Sequence, residues 1–507
     1  MQVYSILEQT VRSVTGEKRT FTLERPVDTL RAHLIAHPER RSLSLVESLD
    51  VAAENSREFQ RQKEQLYLVA LNLTRSSHDF AVLFGGGASA AIEGEGDDSA
   101  NLVVGDDLSA SVTSVTGTRI VASFVNTFLR SVIHGGSFDG SSILNLTLTQ
   151  PLLRGAGRRV VREPLTQAER DVVYAMRDFE RFRADFAIGV VSEYWNVVAR
   201  IADLDNVEAN YRSVATSREQ IDELYRAGRR TIVDLGRAQQ SEHSADATRV
   251  AARARLQTAL DAFKLTLGLP VTSNIDLDAT ELEQLARRGI DLANIEEDAA
   301  VHLALDRRYD HRTTVDSVED AGRRILVAED ALNMALDFTA ALNVPAESGK
   351  GLNLDWSRVN WAAGFELDLA LDKLAERNAY RSALISFDAA VRSREASEDQ
   401  IAAEVRNTLR DIQVAADTYR IQTIAVEVAT QRVEATTDLY DAGRIDALEK
   451  LDAQSSLLQA QLALTNATVD WAIARLQLMN NLEAIHLEPH GLRFDQTLPM
   501  PQAKAAE

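Results

Sequence analysis

Asp446, Glu449 and Asp452 stand three residues apart, a spacing that brings all three near one face of a helix. A single such stripe is what any solvated acidic helix carries. Repeated around an axis by several copies of the chain, the same acids become a ring that attracts cations. Other chemistry has less to stand on. Gly85-Gly86-Gly87 lacks the Lys-Ser/Thr that completes a phosphate cradle and reads as a loop inside a β-rich region. Arg226, Arg229 and Arg230 could hold an anion, but they close a helical pattern, where a solvated tip or a docking point for another protein fits better. His243, His302 and His311 stand singly on helical stretches, without the paired spacing of a metal site. There is no nucleophile elbow and no dinucleotide-binding turn. With no cysteine among 507 residues, disulfides, thiolate ligation and thiol catalysis are excluded. A net charge of −21 argues against a nucleic-acid partner, which needs a concentrated basic face. The sequence therefore predicts no enzyme, no cofactor and no metal.

The elements that must position these acids come in two copies. Residues 224–239 and 439–454 align without a gap: Leu224, Tyr225, Ala227, Gly228, Arg229, Ala238 and Gln239 match Leu439, Tyr440, Ala442, Gly443, Arg444, Ala453 and Gln454 (443 − 228 = 215). In each copy a long helical pattern runs into Ala-Gly-Arg and another follows, the form of a tight turn between antiparallel helices with glycine as left-handed cap. Helix is expected from about Pro164 to Tyr225 and Thr231 to Leu267, then again from Lys373 to Tyr440 and Asp446 to Leu482. In the second copy Val405, Ile412, Tyr419, Val426, Val433 and Tyr440 fall every seven residues, which imposes side-by-side helix packing.

Strand character precedes each long helix. Leu144, Leu146 and Leu148 alternate with polar residues up to Pro151, and Trp361, Ala363, Phe365 and Leu367 alternate with acids in the second copy, after Trp356. Segments 108–115 and 119–133 are strand-like around Thr116-Gly117-Thr118. The organisation that follows is an N-terminal extension over 1–41, a first repeat over 42–270 with strands in 80–150, shorter helices and a linker over 271–350, a second repeat over 351–485 with strands at 351–372, and a tail over 486–507. A helix of about 30 residues is expected from Ser42 to Thr74. No segment is apolar enough for a transmembrane helix and no signal peptide is visible, but neither test detects the alternating strands of a membrane barrel.

The Tyr-x-Ala-Gly-Arg tips, the Leu148-Thr-Gln-Pro-Leu-Leu-Arg-Gly155 run and the Asp372-Lys-Leu-Ala-Glu-Arg-Asn-Ala-Tyr-Arg-Ser-Ala segment resemble the TolC-like outer-membrane efflux proteins. The resemblance covers roughly 42–485. It implies a mainly α fold with a membrane β-barrel: a homotrimer in which each chain gives four strands to a twelve-stranded barrel and its hairpins to a periplasmic tunnel with a mixed α/β belt. It implies a passive exit duct for efflux or type I secretion, set in outer-membrane lipid and working with a periplasmic adaptor and an inner-membrane pump or ABC transporter. The aperture acids fall on Glu449 and Asp452, the closing contact on Tyr440 and Asp234 with Arg444 nearby, the adaptor-docking tips on Gly228, Arg229, Gly443 and Arg444, and the interface aromatics on Trp356 and Trp361. A soluble periplasmic coiled-coil scaffold or adaptor is the rival reading; it explains the hairpins but not the strands.

Overall fold

The structure, a computed structural model, describes residues 41–95, 99–131, 139–278, 296–346, 353–369, 371–488 and 491–494. Nearly all of the expected N-terminal extension and most of the expected tail lie outside these residues. In chain order the elements are β1 (Arg41–Leu43), α1 (Leu45–Asn55), α2 (Arg57–His78), β2 (Leu83–Glu95), β3 (Ser99–Thr113), β4 (Arg119–Ser131), β5 (Asp139–Pro151), α3 (Glu163–Arg226), α4 (Ile232–Thr266), β6 (Ile275–Leu277), α5 (Glu297–Arg307), α6 (Tyr309–Asp330), β7 (Ala335–Pro345), β8 (Asn360–Asp368), α7 (Leu374–Asp441), α8 (Ala447–Asn481), β9 (Ile485–Glu488) and β10 (Gly491–Phe494). The four long helices start and stop within about two residues of the limits read from the periodicity. No helix among the described residues is long and apolar enough to cross a membrane.

The chain divides into two compact units. One holds 65–177 and 313–396 and is built on a six-stranded sheet of order β2-β3-β4-β5-β7-β8, antiparallel throughout. Residues paired across strands share a face, so the register sorts the side chains into rows. Phe84, Ala110, Ala122, Leu146, Leu342 and Trp361 form one row, wholly apolar. The row beside it, on the opposite face, is Gly85, Ser109, Ser123, Asn145, Asn343 and Asn360, without one apolar side chain. One polar row interrupts the apolar face: Asp106, Asn126 and Ser142, where Asn126 Nδ2 donates to Asp106 Oδ2 at 2.7 Å.

The sheet corrects two expectations. It carries six strands, not the four that the resemblance implies, and the addition is the β2–β3 hairpin. Gly85-Gly86-Gly87 is therefore not a loop. It lies within β2, where a Cβ on Gly85 would come within 2.8 Å of Ser109 Oγ and one on Gly87 within 2.6 Å of Asp107 Oδ1. Cross-strand side chains occupy that space. The helices of this unit are joined by a charge network around Asp320: Arg170 meets Asp320 at 2.7 Å, Glu319 at 2.8 Å and Asp316 at 3.3 Å, while the Tyr174 hydroxyl donates to Asp320 at 2.8 Å. Asp320 is buried, and the network resists rearrangement because losing Arg170 would leave a carboxylate out of reach of water without its closest cation.

The second unit, described from β1 to residue 64, over 178–312 and from 397 on, holds the tips of both hairpins. Its main core gathers Leu43 and Val51, Tyr194, Val197 and Val198 from α3, Phe263 from α4 and Trp471 and Leu476 from α8, closed by a short parallel pairing of β1 with β6. The expected 42–74 helix breaks at Ser56, which is extended (ψ 127). Gly268 explains the break, since its backbone passes so close that a Cβ there would sit 2.1 Å from the Asn55 carbonyl oxygen.

Candidate functional site

Both hairpin tips are built the same way. α3 ends with Arg229 N–H donating to the Leu224 carbonyl at 2.8 Å and Gly228 N–H to Tyr225 at 2.9 Å; α7 ends with Arg444 donating to Leu439 and Gly443 to Tyr440, both at 2.9 Å. That pair of bonds needs a left-handed residue, and Gly228 and Gly443 have φ of 72° and 69°. Gly228, Arg229, Gly443 and Arg444 are all exposed. Behind the tips, Val214, Ile221, Leu235, Ala238, Leu451 and the Tyr440 ring pack into one buried cluster that ties the two hairpins together.

Tyr440 is the polar member of that cluster. Two cations lie over its ring, with the Arg230 guanidinium 4.8 Å from the centroid and Lys450 Nζ 5.0 Å from it. Burial pushes its phenol above the ordinary value. The hydroxyl is itself buried, and the Arg230 guanidinium beside it opposes the rise. Asp234 faces its own helix: Oδ2 accepts from Thr231 N at 3.1 Å and Thr231 Oγ1 at 2.8 Å, a capping box whose donors hold the carboxyl below its usual range. Lys450 is buried, with Gln220 Oε1 at 3.5 Å and the Tyr440 ring beside its ammonium.

The three acids after the second tip have three different situations. Asp446 N-caps α8, accepting from Leu448 N at 3.0 Å and Glu449 N at 3.2 Å. Glu449 is exposed, and its carboxylate has no partner among the described residues. Asp452 is exposed but accepts from Arg432 Nη2 of α7 at 2.6 Å. Arg432, Arg230 and Lys450 did not emerge from the spacing argument as site residues. Arg432 was findable, because it lies about as far before Gly443 as Asp452 lies after it, and antiparallel helices place such residues side by side. Lys450 had no such signal, since lysine on an otherwise solvated helix pattern reads as surface.

On the sheet, Trp361 and Trp356 are among the most exposed large side chains, 77% and 64%, with Phe365 at 71% and Phe84 at 83%. Trp361 belongs to the apolar row; Trp356 sits in the helical turn Trp356–Arg358 that leads into β8. No cluster of three or more His, Cys, Asp or Glu suited to a metal ion occurs among the described residues.

Long hairpins with matching tips, joined to an antiparallel sheet that has one apolar and one polar face, define a membrane channel built from two materials. The chain belongs to the outer membrane efflux protein family, whose pattern it matches over residues 118–269 and 300–482. It is similar in fold to a membrane protein from Pseudomonas aeruginosa (17% identity, TM-score 0.66, covering 86% of this chain and 92% of that one) and to VceC from Vibrio cholerae (17%, 0.65, 86% and 95%). It is also similar to the MtrE outer membrane channel of Neisseria gonorrhoeae, solved in its open state (15%, 0.62, 92% and 95%). No curated protein matches the chain. The protein is an outer-membrane efflux channel, and the soluble scaffold reading falls with its inability to account for the sheet.

Proposed function

We propose that this channel works as a passive homotrimeric duct, its sheets closed into one lipid-facing barrel and its hairpins into a helical tube that docks to a periplasmic adaptor and, through it, to an inner-membrane pump or ABC transporter. The sheet carries the reading: its apolar row suits lipid, its polar row suits a water-filled lumen, and neither edge could stay unpaired in hydrocarbon. A second feature supports self-association. Val414, Ile421, Ile424 and Val428 of α7 are 58–64% exposed along one helix side, an apolar stripe that a neighbouring copy would cover.

In this reading Gly228, Arg229, Gly443 and Arg444 face the adaptor, and Glu449 with Asp452 line the aperture. Tyr440, Asp234 and Arg444 form the closing contact near the tips, repeated in each copy. The Asp234 oxygen that Thr231 leaves unused is open to it; the Tyr440 hydroxyl is buried in this structure and must leave its cluster to take part. Trp356 and Trp361 sit at the lipid interface. The test is electrical. In planar bilayers the wild-type channel should prefer cations, and Glu449→Ala with Asp452→Ala should move the reversal potential in a salt gradient toward zero. Unchanged selectivity in the double variant would return both acids to the solvated helix face.

A further inference from the structure

The β2–β3 hairpin is the largest feature that the duct reading does not use, and three observations place it in the barrel wall. It pairs with β4 over 13 residue pairs, from Asn101↔Ser131 to Thr113↔Arg119, so it spans the same height as the strands beside it. Its side chains keep the same alternation: Phe84 and Ala110 extend the apolar row, Gly85 and Ser109 the polar one. Its outer strand β2 is an open edge, and so is β8 at the other end of the sheet. Because direction alternates along the six strands, the two edges run oppositely. β8 of one copy can therefore lie antiparallel to β2 of the next with both rows facing the same way.

We propose that β8 of each copy pairs with β2 of its neighbour, so that three sheets of six strands close a barrel of eighteen rather than the twelve that four strands per chain would make. The inference rests on the trimeric reading above and adds the contact surface and its register of faces. Barrel diameter grows roughly in proportion to strand number, so this mouth is roughly one and a half times as wide as a twelve-stranded one, in the range where an aqueous channel stays open. Cargo too bulky for the narrower barrel passes the wider one. A four-stranded contribution would instead put β4 at the edge and leave β2 and β3 outside the wall, with the exposed Phe84 and Ile92 in water.

Engineered thiols decide between the two walls, because these 507 residues include no cysteine. Ala363→Cys on the apolar face of β8 is combined in turn with Ala88→Cys or Ala90→Cys on the same face of β2, or with Ala122→Cys on β4. Within one chain Ala122 and Ala363 are three strand spacings apart, roughly 14 Å, beyond disulfide reach. After mild oxidation in native outer membranes, a β2 pair should give covalent dimers and trimers on a non-reducing gel, and the β4 pair none. Cross-linking through β4 instead overturns the inference. So does a detergent-extracted trimer that links at neither β2 position nor at any other apolar-face position from Phe84 to Ile92. A particle that runs as a monomer overturns both this inference and the trimeric reading.

Discussion

The two repeats share a backbone and differ in what they ask of their side chains. At the constant offset of 215, Thr231 and Asp446 both N-cap the return helix, and Asp234 and Glu449 occupy the same position three residues on. In the first copy Thr231 needs Asp234 to complete a capping box; in the second Asp446 satisfies two backbone donors itself, and Glu449 is left free. Tyr225 is 38% exposed, while Tyr440 at the matching place is buried, with Arg230 and Lys450 over its ring. The far ends of the return helices differ too. Gly268 and Glu483 make the same left-handed turn, with φ of 72° and 49°, and the same pair of backbone bonds to the preceding helix. Gly268 is pressed against the Asn55 backbone. A strong local cap releases the neighbouring acid, so the second copy carries the chemistry because its scaffold needs less from those residues.

Exchanging the cap residues gives the sharpest break in that comparison. Gly268→Ala must push its Cβ away from the Asn55 carbonyl and hold a non-glycine at positive φ, so a loss of several kcal/mol is expected, read as a lower melting temperature in detergent and less protein in the outer membrane. Glu483→Gly relieves the same strain without a clash and should fold at least as well, by about 1 kcal/mol.

The next effect is in pH. Burial is the largest influence on Glu483 and raises its carboxyl from 4.5 to about 7; Asp310 acts in the same direction, while Arg181, at 3.9 Å, and Arg308 oppose. The Tyr309 backbone N–H, which donates to Glu483, also opposes the rise, and Arg308 is itself held by Glu404 of α7. Because the folded state holds the proton more tightly than the unfolded chain, the stabilisation is complete below pH 4.5 and is lost as pH rises to about 7. Glu483→Gln should flatten this slope and exceed the wild type at pH 8, by at most on the order of 3 kcal/mol. A wild-type stability that rises between pH 5 and 7 with the same slope in the variant would contradict it.

The smallest effect separates the two tyrosines. Tyr440→Leu removes a buried ring and both of its cation contacts, for about 2 kcal/mol, and should raise single-channel conductance by loosening the tips. Tyr225→Leu should change neither stability nor conductance measurably.

The hairpins and their tips were legible because they rest on local rules: a seven-residue apolar period, a glycine cap, and an internal repeat that states each rule twice. The row Val405, Ile412, Tyr419, Val426, Val433 and Tyr440 is buried or half-buried along its length. β5 and β8 were legible from alternation. β2 was not, because Gly85-Gly86-Gly87-Ala88 has no β-branched residue and becomes a strand only through its pairing with β3. β7 escaped for a different reason. Leu336, Phe338, Ala340, Leu342 and Val344 do alternate, but they follow α6 directly and their alanines extend its pattern. At the site, residue types and spacing indicated Glu449 and Asp452, whereas Arg432, Arg230 and Lys450 reach it only once two helices are folded back on each other.

The order of strands in the sheet also sets a timetable for the chain. β2 to β5 pair in the order in which they follow one another along the chain, so they can zip on contact, within microseconds for each hairpin. β5 must then wait for β7, since the pair Pro151↔Asp337 closes a loop that contains the whole first helical hairpin. Loop closure of that length is slow and leaves one ladder edge bare while it lasts. The rate at which α3 and α4 find each other therefore limits how long an aggregation-prone strand stands open, so a defect at the Gly228 tip, far along the chain from any strand, should surface first as failed assembly of the sheet.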